Sequence, residues 1–153
     1  MPAATVLVTE FAGKMGFGGE AFSADSPLAL CFDGKYVVSF QYDPDDHALI
    51  LAGGVGTAEA GEAAAPFLLT ESCLGANTGG AAFGLSPETG EAFMWKRWSD
   101  EFPDLAALEA AISQFLGQLE HWQGRLAEWR PQEDARPAGR DPAAAGQAAR
   151  IRT

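Results

Sequence analysis

The residues of this chain best suited to nucleophilic, acid–base or metal chemistry are two histidines, His47 and His121, and two cysteines, Cys31 and Cys73. Their spacing does not assemble a site. His47 falls in an acidic turn and His121 on a long helical stretch far along the chain, so no local pair of metal ligands exists. Neither cysteine has a flanking base to favour its thiolate, and no Cys-X-X-Cys spacing occurs. Both are expected to be reduced, small, buried apolar residues, one on a strand and one on a helix. Carboxylates are plentiful, but in a chain this acidic they read as a solvated face. The expectation is a protein that is not an enzyme and carries no cofactor or metal.

Two short patterns invite a ligand and fail on context. Gly16-X-Gly18-X-X-Ala21 has the form of a dinucleotide fingerprint, but it follows a helical stretch and runs into Ser26-Pro27, where the motif needs a strand before it and a helix after. Asp43 and Asp45 have the first two spacings of a calcium loop. His47 occupies the next ligand position and the required glycine is missing, so a solvated turn is the reading.

Composition narrows the partners. The chain has 153 residues, 47% hydrophobic, with a formal net charge of -11. Before Pro131 stand six basic and eighteen acidic side chains, and the remainder is slightly basic. Such a body repels phosphate backbones, so nucleic acid is excluded as a partner and basic peptide segments are favoured. No basic, then apolar, leader begins the chain and no apolar run would span a bilayer, so a cytoplasmic protein without membrane insertion is expected.

Hydropathy patterning gives the elements. Ala4, Leu7, Val8, Phe11 and Met15 share one helical stripe, ended by the glycines at 16–19. Residues 28–32 alternate Leu28, Leu30 and Phe32 against Ala29 and Cys31. Asp33-Gly34 is a hairpin signal, and 36–42 resumes as a strand with Tyr36, Val38, Phe40 and Tyr42 on one face. A turn at 43–46 leads to a third strand at 48–52, stopped by Gly53-Gly54.

Residues 56–65 are read as a connector without periodicity, and a second helix is expected to start at Pro66 and end at Gly75. A hairpin follows, with 81–85 and 93–98 as strands around the turn at 86–90. Asp104 then caps a long helix facing inward through Leu105, Leu108, Ile112, Phe115, Leu116, Leu119, Trp122, Leu126 and Trp129, ended by Pro131. The order is α-β-β-β-α-β-β-α, an α+β fold with a twisted antiparallel sheet packed by helices. It occupies one domain, residues 1–130. The segment 131–153, rich in Pro, Ala, Gly and Arg, is expected to be a disordered tail.

The stretch Leu68-Leu69-Thr70-Glu71-Ser72-Cys73-Leu74-Gly75, with Thr78-Gly79-Gly80, Phe83-Gly84-Leu85 and Pro87-Glu88-Thr89-Gly90, resembles the second helix and hairpin of type III secretion chaperones of the Tir-chaperone (CesT-like, class I) family. The run from Leu28 to Phe40 is similar to their first hairpin. The resemblance spans about residues 3–129, and the tail and the Ala/Gly-rich connector depart from it.

The resemblance implies a homodimeric, ATP-independent bacterial chaperone that binds the N-terminal region of a secreted effector in extended form and keeps it soluble and competent for export. On this reading the second helix and its hairpin give the dimer interface, through Leu68, Leu69, Ser72, Cys73 and Trp95. The first helix and neighbouring strands hold the client, through Leu7, Phe11, Phe17, Phe22, Leu28, Leu30, Phe40 and Phe93. An extended segment can add to a sheet edge and set alternate side chains into apolar pockets. The alternative is a dimeric α+β adaptor that binds a folded protein.

Overall fold

The computed structural model describes residues 3–18 and 21–131. Helix α1, Ala4–Lys14, buries Ala4, Leu7, Val8 and Phe11 of the expected stripe, with Ala12 beside them, whereas Met15, also expected on it, lies past the helix end and is 50% exposed. Asp33 and Gly34 both adopt positive φ, 54° and 64°, in a three-residue connection in which the Lys35 N–H donates to the Phe32 carbonyl and Phe32 pairs with Tyr36. That turn joins β1, Leu28–Phe32, to β2, Tyr36–Asp43. At the next turn the Asp43 carboxylate accepts hydrogen bonds from the backbone N–H groups of Asp45 and Asp46.

Strand β3, Ala48–Gly56, passes through Gly53 and Gly54 instead of stopping there. The reason is packing. A Cβ on Gly53 would sit 2.7 Å from a Leu119 methyl, and one on Gly56 2.3 Å from a Leu126 methyl, so these two glycines let the long helix approach the sheet, while Gly54 has nothing within 4 Å.

The expected connector is also corrected. Helix α2 is Ala58–Glu71, started by Thr57, whose hydroxyl accepts from the Ala60 N–H. The five alanines in residues 58–65 supply high helix propensity without apolar contrast, which is why no periodicity marks them. Pro66 therefore lies inside the helix, not at its start. A short 3-10 turn, Cys73–Gly75, follows, then β4, Ala82–Leu85, β5, Ala92–Ser99, and α3, Leu105–Glu128, capped by Asp104. The expected tail, beyond Pro131, lies outside the described residues.

The five strands form one antiparallel sheet in the order β1-β2-β3-β5-β4. One cross-sheet row runs Leu30, Val38, Gly53, Met94, Phe83, and its neighbour runs Ala29, Ser39, Ala52, Trp95, Ala82. All three helices cover the first row's face: Phe11 of α1 meets Phe32, Gly61 of α2 lies against Ala92, and Phe115 and Trp122 of α3 meet Trp98 and Phe83. The second row's face carries no helix among the described residues.

Candidate protein-interaction surfaces

Alternation along each strand decides which side chains the helices seal and which remain outside. On the outer face stand Ala29 and Cys31 of β1, Val37 of β2, Ala52 of β3, and Phe93 and Trp95 of β5. Val37 is 56% exposed and Trp95 36%, while Phe93 and Ala52 are half-buried. The Phe93 ring lies across Gly84, where a Cβ would come within 2.7 Å of it, so the aromatic covers the glycine's bare backbone on the edge strand. A shallow depression lined by Val37, Ala52, Gly54 and Phe93 crosses this face. A face of this composition on an antiparallel sheet invites a covering partner.

A second apolar surface lies at the end of α2. Leu69 is 67% exposed and Leu74 fully exposed, with Leu74 held in the left-handed region at φ 55°. Cys73 is exposed and Ser72 half-buried beside them. A non-glycine residue in that conformation is a local cost, of order 1–2 kcal/mol, and no side-chain burial among the described residues compensates it.

The residues expected to hold a client divide sharply. Leu7, Phe11, Phe22, Leu30 and Phe40 are buried, Phe40 completely, so in this conformation they build the core and offer nothing to a partner. Hydrophobicity alone does not distinguish a core residue from a docking one, and the stripe they occupy is the stripe the helices seal. Phe17, Leu28 and Phe93 keep accessible surface. Phe17 packs edge-on against Phe32 at 5.9 Å between centroids, at the margin of the core.

Of the expected dimer residues, Leu68 is buried at 2% exposure, while Leu69, Cys73 and Trp95 are exposed. Trp95 and α2 lie on opposite faces of the sheet, so these residues do not form one patch within a single chain; Trp95 instead shares its face with Phe93. Both cysteines are exposed, which corrects the expectation of burial. For Cys31 the alternation of β1 already opposed it to the core residues Leu30 and Phe32. Val6, 56% exposed, and Leu74 were not singled out from sequence; Val6 is apolar but out of phase with the α1 stripe, and that phase is the available signal.

The polar groups serve architecture. Arg97 spans the β2–β3 turn, donating to Asp46 and, at 2.8 Å, to Asp43. Hydrogen bonding to Asp46, then the charges of both carboxylates, raises the guanidinium pKa further above its ordinary value. The acidic turn that looked like half a calcium loop thus spends two of its carboxylates on an arginine. His47 stands in this turn at φ 48°, and His121 is exposed on α3, edge-on to Trp122. Among the described residues no group of three or more His, Cys, Asp or Glu side chains could hold a metal ion, and no helix is long and apolar enough to cross a membrane.

Several solved structures share this architecture. A chain of the ExsC-ExsE complex superimposes with a TM-score of 0.69 at 22% identity, over 80% of this chain and 92% of that one. A chain of the Yersinia pestis type III secretion chaperone SycH in complex with a stable fragment of YscM2 gives 0.57 at 14% identity, over 77% and 98%. A chain of the ExoT-SpcS complex from Pseudomonas aeruginosa gives 0.56 at 17% identity, over 78% and 97%. At these identities the likeness is one of fold. No individual curated protein sequence matches. The sequence model of the Tir chaperone protein (CesT) family, however, matches residues 6–123, so the chain belongs to the Tir chaperone protein (CesT) family.

Proposed function

We propose that this protein is a homodimeric, ATP-independent, cytoplasmic chaperone of type III secretion, binding the N-terminal region of an effector as an extended chain and keeping it competent for export. Family membership supports the chaperone role, and among solved structures of the same fold are the HopA1-SchA chaperone-effector complex and the type III secretion chaperone SycH with a fragment of YscM2. The observation that carries the reading is the bare outer face of the sheet, where Val37, Phe93 and Trp95 stand exposed or half-exposed.

A single copy leaves two kinds of apolar surface. The end of α2, with Leu69, Cys73 and Leu74, is assigned to the second copy. Client contacts are assigned to Phe17, Leu28, Val37 and Phe93, and an added strand to the outer edge of β1, which pairs with no other strand among the described residues. Each backbone hydrogen bond gained contributes only about 0.5–1.5 kcal/mol net, and apolar burial about 25 cal/mol per Å², so a client must wrap a large area to offset its own ordering. The acidic body draws in a basic segment, and that attraction weakens with salt.

Leu69→Asp tests the assignment of α2. Leu69 is exposed, so the substitution leaves the fold intact but sets a charge in the contact, and sedimentation should shift from twice the 16.1 kDa chain mass to a single chain. Leu74→Asn should act in the same direction. A dimer that survives both changes removes α2 from the interface.

A further inference from the structure

We infer that the groove between α2 and the end of α3 is a docking surface for a short acidic stretch, and that its occupant is the start of this chain's own continuation, residues 132–134, ahead of the basic remainder. The groove encloses about 830 Å³ and is lined by Pro66 and Phe67 on one side and by Arg125, Trp129, Arg130 and Pro131 on the other. Phe67 and Trp129 stack with centroids 6.2 Å apart at 24°, giving an aromatic floor that is only half-buried.

Charge marks the occupant. The Arg125 guanidinium lies 5.5 Å from the ring centroids of Phe67 and Trp122, and neither Arg125 nor Arg130 makes an ion pair among the described residues. Among the described residues Glu128 is the groove's one carboxylate, so their lining is net cationic on a body that is strongly acidic. The next charged residues in the chain are Glu133 and Asp134.

Connectivity brings them there. At Trp129 the backbone leaves the helix for an extended conformation, φ -63° and ψ 137°, and Trp129, Arg130 and Pro131 themselves line the groove. A chain can advance at most about 3.3–3.6 Å per residue, so two to three residues past Pro131 suffice for both carboxylates to reach the arginines. A tethered segment acts at an effective concentration that a free peptide rarely matches. Its position is also useful. Pro66 cannot donate to the Glu62 carbonyl, so α2 is weakest beside the groove, and a strap there steadies the half of the helix that carries Leu69.

The test is hydrogen exchange of the α2 amides at 67–71 in the full chain. Replacing Glu133→Lys and Asp134→Lys together should speed their exchange about fivefold, the scale of two exposed ion pairs and their apolar contact, without changing exchange in the sheet. Arg125→Glu should do the same, and combining it with the two lysine changes should restore protection. Unchanged exchange in the double variant overturns the inference, and so does failure of the charge swap to restore protection. In a Leu69→Asp background, where the α2 contact between copies is removed, protection that still rises with protein concentration also overturns it, because the segment would then come from another copy.

Discussion

The Asp100 carboxylate accepts a hydrogen bond from the backbone N–H of Ala4, so the start of α1 is capped from the far end of β5, 96 positions later. Ala3, the residue in the capping position, has no side chain to do this. The other Asp100 oxygen accepts from the Tyr42 hydroxyl at 2.7 Å, which ties the helix end to β2 as well. Asp100→Ala should therefore cost about 1–2 kcal/mol, the range of a lost cap, while Asp100→Asn should keep part of it. Thermal unfolding of the two variants checks this; equal losses would show that the acceptor oxygen is not what matters.

The same contact sets a pH dependence. Hydrogen bonding to Asp100, then burial and the nearby carboxylates, raises the Tyr42 pKa above its ordinary 10.0. A group whose folded pKa is raised contributes stability that is whole below its unfolded pKa and is lost as pH climbs through the folded value. Stability should thus fall on the alkaline side from about pH 10 upward, and Tyr42→Phe should flatten that limb. Denaturant midpoints across this range measure it, and an unchanged alkaline slope in the variant would contradict the assignment.

Gly61 sets two effects against each other. Alanine there would gain roughly 1 kcal/mol of helix propensity. Its Cβ, however, would lie 2.9 Å from the Ala92 Cβ and 3.1 Å from the Ala92 backbone nitrogen, neither of which can swing aside. Overpacking of this kind costs about 1–3 kcal/mol, so Gly61→Ala should be net destabilising despite the better helix former. A raised melting temperature would mean that α2 sits further from β5 than these distances place it.

Much of the fold was legible because side-chain contrast was strong. Leu30, Val38 and Phe40 alternate cleanly with smaller or polar neighbours, Asp33-Gly34 has turn chemistry, and Asp104 with Leu108, Ile112, Phe115, Leu119, Trp122 and Leu126 gives α3 its cap and its buried face. Where contrast vanished, the reading failed. Alanines at 58–65 look alike from every side, and Gly53 is silent about the Leu119 methyl that requires it. The interaction residues were the least legible. Phe40 and Phe93 are equally apolar, and only the phase of their strands relative to three helices sends one into the core and leaves the other on the outer face.

The most direct test is hydrogen exchange on the complex formed when this chain is co-expressed with a type III secretion effector that it retains. One continuous N-terminal segment of that client should be protected, with the residues that follow it in the same region exchanging as an unfolded chain, and on the chaperone the outer edge of β1 and residues Val37 and Phe93 should gain protection. A client protected throughout as a folded body, with no change on that face, would contradict the proposal and favour an adaptor.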